Sequence, residues 1–250
     1  MSISNKKNIK LSSIIVTFIS LLTLVLIFVV FNWLSTSYSP SQSALKLLSS
    51  TSLVEVSTSE DWTTFTPTSN NATTKGIIFY PGAKVEAAAY SSIAQNLASN
   101  GYLVSLAHMP INFPLLGTNI ANDIIDSYPT IDSWIMIGHS LGGVAASNFA
   151  ATSDAIDGIV LLASYPTDDS LKTKGIPTLS IWGSNDGVLN FDSLKESKDL
   201  LPTDTIFLPI EGGNHAQFGD YGIQEDDNSA TISGSEQQLT TVNAILDWLP

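Results

Sequence analysis

The chain has 250 residues, only 13% of them charged, with a formal net charge of −13 and no cysteine. The absence of cysteine excludes disulfides, thiolate metal sites and a cysteine nucleophile. All ten basic residues are lysine, and three of them (Lys6, Lys7, Lys10) precede the first apolar run. The part after Trp33 therefore holds seven lysines against 23 acids, a net of −16. That balance argues against nucleic-acid binding, which needs cations to replace counterions on phosphate, and against adhesion to anionic lipid.

Residues 1–10 form a basic leader, expected on the cytoplasmic side. Leu11 to Phe31 is an uncharged run rich in Ile, Leu, Val and Phe, followed by Trp33. As a helix it is about 30 Å long, the thickness of a bilayer's hydrocarbon. A cleaved signal peptide is the rival reading, but the run is longer than a signal core and no Ala-x-Ala follows it. Residues 11–33 are thus expected to be one transmembrane signal anchor in the cell membrane, with the remainder outside. Residues 34–43, rich in Ser, Thr, Tyr and Pro, read as a linker, and 44–250 as one catalytic domain.

Ala44 to Ser49 reads as a short helix, and Leu53–Ser57 with Trp62–Thr66 as an opening hairpin. Asn71-Ala72-Thr73 is a glycosylation sequon. From Gly76 the pattern becomes strand, turn, helix. Strands are expected at Gly76–Tyr80, Tyr102–Ala107, Trp134–Ile137, Ile156–Ala163, Thr178–Trp182 and Thr205–Pro209. Helices are expected at Glu86–Ser99, Asn119–Ser127, Leu141–Ala151 and Phe191–Leu200. The last helix opens on a capping box, Ser233-x-x-Glu236, and carries Leu239, Val242, Ile245, Leu246 and Leu249 at helical spacing. Alternating apolar strands and helices imply a mostly parallel sheet in a three-layer fold.

One stretch, Ile135 to Gly143, carries chemistry. An apolar strand runs into Gly138-His139-Ser140-Leu141-Gly142, a G-x-S-x-G, and then into a helix. That setting puts a serine on a sharp strand-to-helix turn at the end of a sheet. A serine hydroxyl needs a base, and the base needs a carboxylate to orient it. Three histidines are available. His139 is expected to point away from the nucleophile. His108 reads as a wall or structural residue. His215 follows the last strand in Glu211-Gly-Gly-Asn-His215. Asp186, in Gly183-Ser-Asn-Asp-Gly187, completes the order Ser140, Asp186, His215, with Asp168, Asp169 and Glu211 as competing carboxylates. Oxyanion donors are expected from the amides of Leu141 and of Ala83, in the Pro81-Gly82-Ala83 turn. Lys84 reads either as an anchor for an anionic substrate group or as a solvated lysine. Substrate-binding walls are expected from Met109–Leu116 and Gln217–Tyr221, with Lys84, Met109, Phe113, Gln217 and Phe218 as the contact residues.

These residues resemble the α/β-hydrolase superfamily. More narrowly, Tyr80-Pro-Gly-Ala-Lys-Val-Glu86, His108-Met-Pro-Ile-Asn112 and Gly212-Gly-Asn-His-Ala-Gln-Phe-Gly-Asp-Tyr-Gly222 resemble the bacterial α/β hydrolase fold-5 family over about Ala44 to Pro250. The resemblance implies Ser140 as nucleophile, Asp186 as acid, His215 as base and no metal or organic cofactor. Only Ser164 to Gly175 separates two strands where larger relatives insert a lid, so no large lid is expected. The implied activity is a membrane-anchored serine esterase acting on a small-molecule acyl substrate. A non-catalytic binding domain, or a peptidase or thioesterase on the same fold, are the alternatives.

Overall fold

In the computed structural model the described residues are 3–68 and 74–249, so the sequon at Asn71 lies outside them. The chain divides into two compact units, Met1–Thr36 and Ser37–Pro250. The first is one helix, α1 (Ile3–Ser35). Within it Ser13–Trp33 is long and apolar enough to cross a membrane, and none of its side chains is buried in protein.

The second unit is a three-layer α/β fold. Its eight strands are β1 (Val54–Thr58), β2 (Trp62–Pro67), β3 (Lys75–Tyr80), β4 (Leu103–Ala107), β5 (Ser133–His139), β6 (Ile156–Leu162), β7 (Thr178–Gly183) and β8 (Ile206–Ile210). They lie in the order β1-β2-β4-β3-β5-β6-β7-β8. The β1–β2 and β2–β4 pairs are antiparallel and every pair from β3/β4 onward is parallel. The helices are α2 (Gln42–Lys46), α3 (Ser91–Ser99), α4 (Ile120–Ser127), α5 (Leu141–Thr152), α6 (Ser170–Lys174), α7 (Phe191–Glu196) and α8 (Gly234–Trp248).

Period-two alternation in the strands splits the core in two. Ile77, Phe79, Ile135, Ile137 and Leu162 face one layer, with Ile93 and Leu97 of α3 and Val242 and Ile245 of α8. Ile78, Tyr80, Trp134, Met136 and Leu161 face the other, with Ile124 of α4 and Phe149 of α5. Each large side chain so buried contributes about 1.5–3 kcal/mol. The connection from β3 goes to β4 on one side, and the chain then crosses to β5 on the other. The carboxyl ends of β3 and β5 therefore bound the crevice where the strand order reverses, the usual ligand position in such sheets.

Several boundaries differ from those expected. The helix expected over Glu86–Ser99 is a 3-10 turn at Ala87–Tyr90 followed by α3. The helix expected over Phe191–Leu200 likewise ends as a 3-10 turn from Ser197. The short α6 has one buried apolar residue, Leu171, too little for a periodic signal, and stops at Gly175 with φ 70°. It is the main structure in the β6–β7 connection, so no multi-helix lid covers the site. The stretch expected as a linker is docked from Ser37 onward. Tyr38 bridges to Val85, and its ring packs against Tyr221 at 5.5 Å. Its Ser, Tyr and Pro composition reads as linker because hydroxyls bonded to distant partners look the same in sequence as hydroxyls in water. At the far end the expected cap forms: Ser233 Oγ accepts from the Glu236 amide at 3.2 Å.

Candidate active site

Ser140 sits between β5 and α5 with φ 52° and ψ −126°, a conformation costing about 1–3 kcal/mol that the surroundings must hold. Its amide donates to the Leu162 carbonyl at 2.9 Å. Its carbonyl accepts from Ser164 Oγ at 2.7 Å and from the Gly143 amide at 2.9 Å. The Ser140 backbone is thereby clamped on both sides. The turn also presses α5 against the loop after β3. A Cβ on Gly142 would run into the carbonyl oxygens of Tyr80 and Pro81, so only glycine permits that approach.

The same approach sets the loop after β3 beside the turn that carries Ser140. Tyr80 is in register with Gly138, so Pro81-Gly82-Ala83 continues beside His139-Ser140-Leu141. The Gly82 amide donates to the Tyr90 hydroxyl at 3.0 Å. The amides of Ala83 and Leu141 donate to no described group, and both residues are half-buried. Two unpaired donors beside a serine suit a developing oxyanion.

The loops after β7 and β8 are laced together. Gly183 and Ile210 are in register. A Cβ on Gly183 would strike the backbone of Gly213. The Asn185 amide donates to the Gly213 carbonyl at 2.8 Å, and the Gly212 amide donates to Ser184 Oγ at 2.8 Å. This lacing sets Asp186 against His215: Oδ2 of Asp186 accepts from Nδ1 of His215 at 2.8 Å. The other carboxylate oxygen accepts from the amides of Val188 and Leu189 at 2.9 and 2.7 Å. A carboxylate only accepts, so the imidazole proton sits on Nδ1 and a neutral ring carries its lone pair on Nε2. Nε2 is buried and bonded to no described group.

Two supports were not legible in the sequence. Asp227 accepts from the amides of Gly187 (3.0 Å), His215 (3.3 Å), Ala216 (2.8 Å) and Asn228 (2.9 Å), tying the Asp186 loop to the His215 loop. It stands in a polar Glu-Asp-Asp-Asn run that offers no motif. Gln237 of α8 accepts from the Asn214 amide at 2.9 Å and donates to the Asn214 carbonyl at 2.7 Å, a peptide-like clasp on the residue before His215.

His139 does turn into the protein, but it does not leave the site. Its ring lies beneath that of His215, with centroids 4.6 Å apart. Burial, and then repulsion between the two imidazoles if both were protonated, hold its pKa well below the usual histidine value. The Tyr90 hydroxyl lies 2.8 Å from its Nδ1. That hydroxyl accepts from the Gly82 amide and so joins His139 to the loop after β3. Burial likewise raises the Tyr90 pKa, which keeps it a donor.

The remaining expected residues separate. His108 bonds the Glu60 carbonyl at 2.9 Å and Thr63 Oγ1 at 3.0 Å, a structural role in the β1–β2 hairpin. Phe218 is fully buried against the His139 ring at 5.6 Å, so it supports His139 instead of walling a pocket. Gln217 lines a cleft of about 690 Å³ behind the His215 loop, together with Asn214, Asp227 and Gln238. Neither Ser140, Met109 nor Phe113 lines that cleft, so the structure does not group Gln217 with them. Met109 is buried and Phe113 half-buried. Lys84 has φ 63°, and its amide donates to the Asn112 carbonyl at 2.7 Å, joining the loops after β3 and β4. Asp168 caps its own turn through the Ser170 amide at 2.9 Å.

The model of the Alpha/beta hydrolase family matches residues 76–239. Among solved structures, the fold is similar to a predicted CIB-like hydrolase from Thermoplasma acidophilum, at 17% identity and TM-score 0.57, over 78% of this chain and 97% of that one. It is similar to an esterase from Mycobacterium tuberculosis at 13% identity and TM-score 0.58, over 82% and 95%. It is also similar to the thioesterase domain of the curacin biosynthetic pathway at 12% identity and TM-score 0.58, over 77% and 99%. No curated protein matches the sequence.

Proposed function

The chain belongs to the alpha/beta hydrolase family, and on that footing we propose that it is a membrane-anchored serine hydrolase cleaving an ester or related acyl bond. Ser140 Oγ attacks the substrate carbonyl. His215 takes the serine proton on Nε2 and returns it to the leaving oxygen, while Asp186 fixes the Nδ1–H tautomer and stabilises the imidazolium. The amides of Ala83 and Leu141 hold the oxyanion. Water then repeats the sequence on the acyl-serine, releasing the acid.

The observation that carries this reading is the Asp186–His215 contact at 2.8 Å with a buried, unbonded Nε2. The strained turn of Ser140 and the two open amides support it. The neighbours described as an esterase and a thioesterase are consistent with acyl transfer. Residues 11–33 act as the anchor, Lys6, Lys7 and Lys10 stay inside, and the hydrolase unit lies outside the membrane.

The test is a fluorophosphonate probe on the full chain. It labels Ser140, and Ser140→Ala abolishes both labelling and cleavage of p-nitrophenyl butyrate. Absence of labelling, with butyrate hydrolysis undiminished in Ser140→Ala, overturns the assignment and leaves a non-catalytic binding domain. Parallel thioester and peptide substrates separate the esterase from the other acyl hydrolases.

A further inference from the structure

The globular unit begins at the end of the sheet that carries its candidate site. Ser37 and Ser39 both donate to Glu86 Oε1, at 2.8 and 2.9 Å. The Tyr38 amide donates to the Lys84 carbonyl at 2.6 Å, and the Ser41 amide to the Asp220 carbonyl at 2.7 Å. Lys84 and Glu86 belong to the loop after β3, and Asp220 to the loop after β8. Both loops leave the carboxyl ends of parallel strands, as do those bearing Ala83, Ser140 and His215.

Exposed apolar side chains gather at the same end. Ile111, Leu115, Leu116, Val188, Phe191 and Ile223 are all exposed on segments following β4, β7 and β8, with Ile223 at 93% exposure. Among the described residues of this unit the other exposed large apolar side chains are Leu53 and Ile206 at the opposite end, with Leu45 on α2 and Leu239 on α8. An apolar rim at one end of an otherwise acidic domain marks an interaction surface. The tether to a bilayer is short. Trp33 closes the apolar span, and five residues from there to Tyr38 reach at most about 18 Å when fully extended. Acidic residues also dominate this end: Glu86, Asp168, Asp169, Glu211 and Asp220 disfavour anionic headgroups.

We propose that the substrate is a long-chain acyl ester of a neutral or zwitterionic membrane lipid, drawn from the bilayer that holds residues 11–33. This rests on the serine-hydrolase reading and adds the substrate class. In this proposal the apolar rim meets the headgroup and acyl boundary. The acyl C–O bond breaks as the Ser140 ester forms, and the lipid alcohol leaves with the proton from His215. Water then cleaves the acyl-serine to a free fatty acid.

The experiment uses the full chain in phosphatidylcholine vesicles. Fatty acid released from the vesicle lipid and hydrolysis of soluble p-nitrophenyl butyrate are measured in the same sample. Ile223→Glu, and the pair Ile223→Glu with Phe191→Glu, lower fatty-acid release about tenfold or more and leave butyrate hydrolysis within about twofold. Replacing part of the phosphatidylcholine with phosphatidylglycerol slows release, and added salt restores it. Butyrate hydrolysis without fatty-acid release overturns the lipid substrate while the hydrolase stands. Equal loss of both activities in Ile223→Glu, a folded variant because its side chain touches little, also overturns it. Failure of both substrates together with no labelling of Ser140 overturns the hydrolase reading itself.

Discussion

The imidazole of His139 lies under that of His215, ring centroids 4.6 Å apart, with the Tyr90 hydroxyl bonded to its far side. One residue before the candidate nucleophile thus packs against the candidate base, and through Tyr90 it also reaches the Gly82 amide, next to the proposed oxyanion donor Ala83. Base, oxyanion loop and nucleophile turn share a single buried joint.

Tyr90→Phe removes the centre of that joint. The Gly82 amide and His139 Nδ1 are then buried without partners, at about 1–3 kcal/mol for each unsatisfied group. We expect a lower Tm in differential scanning calorimetry. We also expect a larger loss in kcat than in KM, because the displaced loop carries the proposed oxyanion donor of Ala83.

His139 makes stability depend on pH. Its folded pKa lies below the unfolded value of about 6.5, so below pH 6.5 the unfolded chain binds the extra proton. Stability therefore falls as pH drops from about 6.5 toward the folded pKa, by up to about 1.4 kcal/mol per pH unit. In His139→Gln this contribution vanishes. Tm measured from pH 7 to pH 5 should fall less steeply in the variant than in the parent.

Asp186→Asn preserves shape while reversing the hydrogen-bond preference at His215 Nδ1. The amide oxygen can still accept from Val188 and Leu189, so Tm should shift by only a few degrees. The imidazole tautomer is no longer held with its lone pair on Nε2. Loss of kcat on soluble esters of about 10³–10⁴-fold is expected, with KM nearly unchanged.

Asp227→Ala strips four amides of their acceptor across two loops. Charge-assisted bonds of this kind contribute more than neutral ones. A loss of about 2–4 kcal/mol in urea unfolding is expected, with reduced fluorophosphonate labelling of Ser140 at matched folded fraction. Asp227→Asn, which keeps one acceptor, should recover part of both.

The strand–turn–helix run through Ser140, the apolar strands and the chain order of Ser140, Asp186 and His215 are legible in the sequence, because buried strands demand apolar runs and a sharp strand-to-helix turn demands glycines at fixed spacing. The 21-residue apolar span was legible too, because length and lack of charge alone mark a candidate membrane-crossing helix. What the sequence could not convey was which polar residues meet. Asp227, Gln237 and Tyr90 hold the site through hydrogen bonds that, apart from Asp227 to its neighbour Asn228, span 8 to 49 residues, and such bonds leave no local period or motif. Phe218 reads as a pocket wall until packing places it behind His139, and residues 37–41 read as a linker until their partners on Glu86 and Asp220 are known. Local chemistry and periodicity determine the elements and the reactive residue types; only the tertiary fold decides which loops share an end of the sheet, because that depends on strand order and on long-range polar contacts satisfied one by one.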